Sequence, residues 1–232
     1  RLRVASILGR VKRIEEAIRH LTAMAAGQPG DPGPLISLGD ILRGQERFAE
    51  AVDAYDKAFG RIQAIESRHW ALLYARGIAL ERSKQWPRAE ADFLSALEFK
   101  PDQPYVLNYL GYSWIDKGLY LDRAQAMIGK AANLRPNDGY VIDSLGWGHY
   151  KLGKYKKAVL ELERAVELRP QDPVINNHLG DAYWRVGRRR EATFQWNRSL
   201  SLDPNKDLIT EINRKLKIGL GEDTETATKA SQ

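Results

Sequence analysis

The side chains that could do chemistry in this sequence are few, and they are not spaced for catalysis. Its four histidines, His20, His69, His149 and His178, fall outside any metal-binding motif built on helical i, i+4 spacing. Carboxylate pairs such as Glu15-Glu16 and Glu161/Glu163 read as ordinary exposed helix charges. No G-x-x-x-x-G-K-[ST] loop, G-x-S-x-G elbow or H-E-x-x-H helix occurs, and Gly146-Trp147-Gly148 is not a phosphate loop. The absence of cysteine removes disulfides, thiolate metal sites and thiol nucleophiles together. No catalytic residue, metal or cofactor is therefore expected, and the reading is not an enzyme. What remains is recognition chemistry, carried by ten tyrosines, six tryptophans and a surplus of cations.

The net charge is +6, and much of the positive charge is clustered: Arg10, Lys12 and Arg13; Lys151, Lys154, Lys156 and Lys157; Arg188, Arg189 and Arg190. Such clusters can contact phosphate. Here they fall near predicted turns between paired helices, which favours a solvated face or an acidic protein partner over nucleic acid. Hydrophobic residues make up 43% of the chain, enough for a core. No apolar run approaches the roughly 18 residues of a membrane span. The chain starts at Arg1 rather than Met, so it reads as a fragment or a processed form.

The element that must position these side chains is an internal repeat. Aligned on Leu38-Gly39, Arg76-Gly77, Leu110-Gly111, Leu145-Gly146 and Leu179-Gly180, the glycines lie 38, 34, 35 and 34 residues apart. A small residue follows at Ala51, Ala89, Ala124, Ala158 and Ala192. Four residues later comes a large one, Tyr55, Phe93, Ile128, Leu162 or Trp196, and three further a small one, Ala58, Ala96, Ala131, Ala165 or Ser199. Pro101, Pro136, Pro170 and Pro204 close most units. Glycine and alanine let two antiparallel helices cross closely, the large residue fills the gap beside the crossing, and the second small residue lets the next unit dock. Proline stops the helix, and Asp102, Asp138 and Asp172 can cap the next one.

This pattern resembles the tetratricopeptide repeat family, most strongly in "YVLNYLGYSWIDKGLYLDRAQAMIGKAANLRP", "YVIDSLGWGHYKLGKYKKAVLELERAVELRP" and "VINNHLGDAYWRVGRRREATFQWNRSLSLDP". The fold class it implies is all-α, a right-handed superhelical solenoid of antiparallel helix pairs. The array should run over 1–220: a truncated unit at 1–31 (Ala5, Ala17, Leu21), units at 32–69, 70–103, 104–138, 139–172 and 173–206, and a capping helix at 207–220 with Leu208, Ile209, Ile212, Leu216 and Ile218 on its apolar side. Met24 stands where a small docking residue is expected. The second unit carries an insertion near Ile65–His69 and lacks a closing proline, so its second helix is expected to run long. Pro29–Pro34 reads as a stiff turn or a weak joint. Residues 221–232 are polar and expected to be disordered.

The resemblance also implies that the first helix of each unit lines a concave groove. The groove positions are then Tyr74; Tyr105, Asn108, Tyr112 and Asp116; Tyr140, Asp143, Trp147, Tyr150 and Lys151; Asn177, Asp181, Trp184 and Arg185. The expected binding set is Tyr74, Tyr105, Asn108, Tyr112, Asp143, Trp147, Tyr150, Asn177, Asp181, Trp184 and Arg185, with Trp184 the member most suited to packing between helices instead. The cationic clamp with which some family members hold a chaperone's C-terminal carboxylate is not reproduced, because the fifth positions hold Ile36, Tyr74, Asn108, Asp143 and Asn177. The expected function is a scaffold or adaptor that takes a protein or peptide partner. Residues 104–204 are further similar to the arrays of bacterial envelope lipoproteins that serve as adaptors for processing proteases, which implies a periplasmic or outer-membrane-associated setting, with the cytoplasm as the alternative. The alternatives are the targeting array of a larger enzyme and a self-assembling scaffold.

Overall fold

The computed structural model describes residues 13–221. Twelve α-helices, one short 3-10 turn and no strand lie among them. The chain divides into two compact bodies, residues 1–106 and 107–232. The N-terminal body contains α1 (Ile14–Gly27), α2 (Gly33–Gly44), α3 (Phe48–Phe59), α4 (Trp70–Arg82) and α5 (Trp86–Phe99). The division falls inside α6 (Pro104–Asp116). The C-terminal body continues with α7 (Leu121–Leu134), α8 (Gly139–Lys151), α9 (Tyr155–Leu168), α10 (Pro173–Arg185), α11 (Arg189–Leu200) and α12 (Lys206–Ile218).

Each repeat glycine sits where no side chain would fit. A Cβ added at Gly39 would lie 2.5 Å from the Tyr55 ring, at Gly77 2.6 Å from Phe93, and at Gly111 2.8 Å from Ile128. At Gly146 it would lie 2.6 Å from Leu162, and at Gly180 2.5 Å from Trp196. These five contacts join α2 to α3, α4 to α5, α6 to α7, α8 to α9 and α10 to α11. The small residues flanking the large ones are all buried: Ala51, Ala89, Ala124, Ala158 and Ala192, then Ala58, Ala96, Ala131, Ala165 and Ser199. Second helices also pack on the first helix of the following pair: α1 on α2 and α3 on α4 in the N-terminal body, α7 on α8, α9 on α10 and α11 on α12 in the C-terminal body.

Caps and turns follow the sequence. Asp138 accepts from the Tyr140 N–H at 3.1 Å, and Asp172 from Val174 and Ile175 at 2.9 and 3.1 Å. At α6 the Gln103 side chain accepts from the Tyr105 N–H at 3.1 Å. The turn within each pair places a residue at positive φ. In the C-terminal body that residue is Gly118, Gly153 or Gly187, and the α6–α7 turn adds a second, Tyr120 (φ 44°); in the N-terminal body it is Glu46 (φ 57°) or Lys84 (φ 65°).

Four expectations are corrected. The second helix of the second unit does not run long: α3 ends at Phe59, and the insertion becomes a loop closed by the 3-10 turn Ser67–His69, with Glu66 and His69 exchanging capping bonds. Pro29–Pro34 is not a weak joint, because the Arg61 guanidinium donates to the carbonyls of Ala25, Gln28 and Asp31 at 2.8–3.0 Å and clamps the turn. Beside it Ala25, rather than Met24, is buried with Leu35 and Ala58. On α12, Ile218 is exposed, and Lys215 is buried in its stead. Ala5, Arg10, Lys12 and the segment 222–232 lie outside the described residues.

Arginine replaces leucine in the Leu-Gly pair at Arg76. Its guanidinium grips Asp92 through two bonds of 2.7 and 2.8 Å, reaches Asp56 at 2.9 Å, and lies 3.8 Å above the Phe59 ring. A half-buried cation is thereby paired with two carboxylates and a ring, in a place the other units fill with an aliphatic chain.

Two substitutions probe this packing by thermal or denaturant unfolding. Ala158→Leu overfills a closed crossing and is expected to cost about 1–3 kcal/mol. Lys84→Gly relieves a left-handed residue where the later units already have glycine, and is expected to add up to about 1 kcal/mol. An Ala158→Leu protein that unfolds like the wild type would refute the packing register.

Candidate functional site

The site elements of the C-terminal body are α8, α10 and α12, held side by side by the second helices behind them. On α8, Trp147 and Tyr150 lie one turn apart on one face, and α10 supplies the residues that lock them. Trp147 lies between two rings, stacked on His178 at 4.1 Å (15° between planes) and on Tyr150 at 4.6 Å (6°). Tyr150 meets Tyr155 edge-on at 5.3 Å and accepts a bond from the Arg185 guanidinium at 3.3 Å. His178 Nδ1 is 2.9 Å from Asp143, both side chains being nearly closed off from solvent. Trp147, Tyr150 and Arg185 are half-buried, so each offers an edge to solvent while its other side is fixed. Asn108 donates to the Ser144 hydroxyl at 3.2 Å and keeps a buried carbonyl oxygen with no partner. Tyr112 is half-buried.

A second layer is sealed by α12. Lys215, 2% exposed, donates to Asn177 at 3.0 Å and to Asp181 at 2.7 Å, and pairs with Glu211 at 2.5 Å. Asp181 also accepts from the Trp196 indole N–H at 2.8 Å. Three expected surface residues are therefore corrected. Asp143, Asn177 and Asp181 are buried and committed to internal partners, because the neighbouring helix in each case brings a basic group, His178 or Lys215, onto them. Trp184 packs at 5.2 Å from Trp196, with the Arg189 guanidinium 3.8 Å over its ring, and closes the core against Gly219. In the N-terminal body, Tyr74 is half-buried against Phe93, and burial pushes its phenol up to about 12. Tyr105 is exposed.

Sequence reasoning missed Lys215 and the role of His178. The signal was present: Lys215 lies 34 residues after Asp181 and His178 lies 35 after Asp143, so each stands one repeat along from its partner. Among the described residues, no group of three His, Asp or Glu could hold a metal ion, and no helix is long and apolar enough to cross a membrane.

Profiles of the family agree with this architecture. One described as a tetratricopeptide repeat matches residues 5–63 and 36–104, and one described as a TPR repeat matches 149–187. Together they span more than half of the sequence, and the chain belongs to the tetratricopeptide repeat family, an all-α solenoid class whose members serve as protein-interaction scaffolds. Among solved structures, a tetratricopeptide repeat protein from Parabacteroides merdae ATCC 43184 is 17% identical with a TM-score of 0.72, covering 95% of this chain and 83% of its own. TTC0263, a thermophilic TPR protein of Thermus thermophilus, is 20% identical with a TM-score of 0.68, covering 81% of this chain and 100% of its own. YrrB, described as a TPR protein with an unusual peptide-binding site, is 18% identical with a TM-score of 0.56, covering 84% of this chain and 97% of its own. At such identities these likenesses carry the fold alone. No curated protein matches the chain by sequence.

The electrostatics of the site give a pH dependence. Burial opposes protonation of His178, but the charge and hydrogen bond of Asp143, aided by Asp181, outweigh it against Lys215, and the imidazole pKa rises above its ordinary 6.5. Burial also pushes the Asp181 carboxyl up, with Lys215, the Trp196 N–H and His178 pulling it down. A raised histidine pKa stabilises the fold fully below the unfolded value and loses that contribution as pH rises through the folded one. His149 is shifted downward, by burial and then by Lys154 and Lys157, so its effect lies on the acid side of 6.5. The melting temperature is thus expected to fall as pH rises above about 6.5, and His178→Gln to flatten that fall. A wild-type melting temperature constant over this range would contradict the assignment.

Proposed function

We propose that the chain is a non-catalytic adaptor that holds a segment of a partner protein against the first-helix face of its repeats. The observation that carries this reading is the locked stack of His178, Trp147 and Tyr150, continued by Arg185. Rings already immobilised by their neighbours lose little entropy on binding, and Trp, Tyr and Arg are the side chains that most often anchor an interface. Tyr112, half-buried one turn away from Asn108, extends this surface. In the N-terminal body, Tyr74 and Tyr105 offer aromatic area of the same kind. Asp143, Asn177 and Asp181 act from beneath, holding the stack and α12 in place instead of touching the partner. The resemblance of residues 104–204 to envelope repeat proteins supports a partner in the bacterial envelope, such as a processing protease or an assembly factor.

The test is affinity capture with the full chain from an envelope fraction, followed by calorimetry with the recovered partner. Trp147→Ala and Tyr150→Ala are each expected to weaken binding by at least about tenfold, or about 2 kcal/mol for a central anchor, while melts confirm that the variants fold. Wild-type affinity in both variants, with binding abolished by charge reversal at Arg188–Arg190, would move the site to the basic edge.

A further inference from the structure

The first turn of α9 is where the C-terminal body concentrates unpaired positive charge. Lys154, Tyr155, Lys156 and Lys157 form one wall of an open cavity of about 540 Å³, Arg185 stands on the other side, and no acidic side chain lines it. Lys156 and Lys157 are exposed and carry no carboxylate partner among the described residues, while Lys154 bonds only the neutral Gln125 amide, at 2.6 Å. The helix end adds to this field. Like α5, and unlike α3, α7 and α11 with Glu50, Asp122 and Glu191, α9 has no acidic residue in its first turn, so its N-terminal N–H groups present their partial positive charge beside the lysines.

Arg185 connects this cavity to the far end of the chain. Its guanidinium donates to the Gly221 carbonyl at 2.7 Å, so the backbone leaving α12 arrives at the cavity rim. The residues that follow are Glu222, Asp223, Thr224 and Glu225, three carboxylates in four positions. An extended chain covers at most about 3.3–3.6 Å per residue, so four residues reach roughly 13 Å, enough to lie across the three lysines.

We propose that this basic cavity is the docking site of the chain's own acidic segment Glu222–Glu225, clasped between Arg185 and Lys154, Lys156 and Lys157. Single exposed ion pairs are weak, but attachment at Gly221 gives the segment an effective concentration in the millimolar range, at which a few such pairs suffice. An acidic segment of a partner would have to displace it from the same lysines. The proposed clasp lies at the turn edge of α8–α9 and shares Arg185 with the aromatic face, so the variants that test it change the lysines and the tail and leave Arg185 intact.

The experiment is NMR relaxation on the full chain at low salt. Backbone order parameters of Asp223, Thr224 and Glu225 are expected near those of the helices, about 0.8, and below about 0.6 in Lys156→Glu/Lys157→Glu and in about 0.5 M salt. As a second arm, Glu222→Lys/Asp223→Lys/Glu225→Lys is expected to shift the amide signals of Gly153–Lys157 while leaving those of α7 in place. Order parameters below about 0.6 in the wild type would overturn the proposal, since the segment would then be free. Equal order in the lysine variant would also overturn it, by showing that the Arg185 tether alone holds the chain. Unmoved Gly153–Lys157 signals in the tail variant would do the same.

Discussion

The structure depends on one steric constraint used five times: a glycine on the first helix of each pair, pressed against a large side chain of the second. The gap is too small for even a methyl group, since an added Cβ would fall 2.5–2.8 Å from the facing side chain at Gly39, Gly77, Gly111, Gly146 and Gly180. Close packing of this kind fixes both the distance and the register of the two helices, because sliding either one would drive a side chain into backbone. The facing residue varies freely, Tyr55, Phe93, Ile128, Leu162 or Trp196, as long as it is large, and the polar ones among them find local acceptors. Tyr55 donates to Asp40 at 2.8 Å and Trp196 to Asp181 at the same distance. The repeat is thus a packing rule with room for chemistry at its edges.

The C-terminal body uses that room to build polar ties between successive first helices. Asn108 reaches Ser144, Asp143 reaches His178, and Asn177 and Asp181 reach Lys215, each bond spanning 34 to 38 residues of sequence but only one helix of distance. An apolar contact would hold the helices together equally well, but it would tolerate slippage. A buried hydrogen bond between charged or amide groups does not, because any shift leaves a desolvated polar atom unpaired. These ties fasten the Trp147 stack from beneath, so the side chains of this face are oriented by groups largely closed off from solvent.

The two bodies solve the same problem with different chemistry. In the N-terminal body the tie is Arg76 with Asp56 and Asp92, and the loop before α4 is capped by Glu66 and His69. In the C-terminal body the buried tie is Lys215 with Asn177 and Asp181, and further cations cluster at the helix turns, at Lys154–Lys157 and Arg188–Arg190. Part of that charge is neutralised internally, Arg188 pairing with Glu163 and Glu191. Lys156 and Lys157 at the start of α9 carry no carboxylate partner among the described residues.

Spacing was sufficient to read the fold. Gly39 to Gly180, the alanines that follow them and the closing prolines state which residues cross, because a period of about 34 residues with small side chains at fixed positions has few other physical solutions. The aromatic stack was partly legible: Trp147, Tyr150 and Arg185 stood out as side chains larger than the crossing needs, and they keep an open edge. Asp143, Asn177 and Asp181 read as surface in the sequence, and Ile218 as core, for a single reason. Helical period marks which face a residue occupies, but not what the next helix brings to that face. Whether a carboxylate on α10 meets water or Lys215 depends on a helix 34 residues further along, and only the tertiary structure decides that, because burial is a property of the neighbour as much as of the residue.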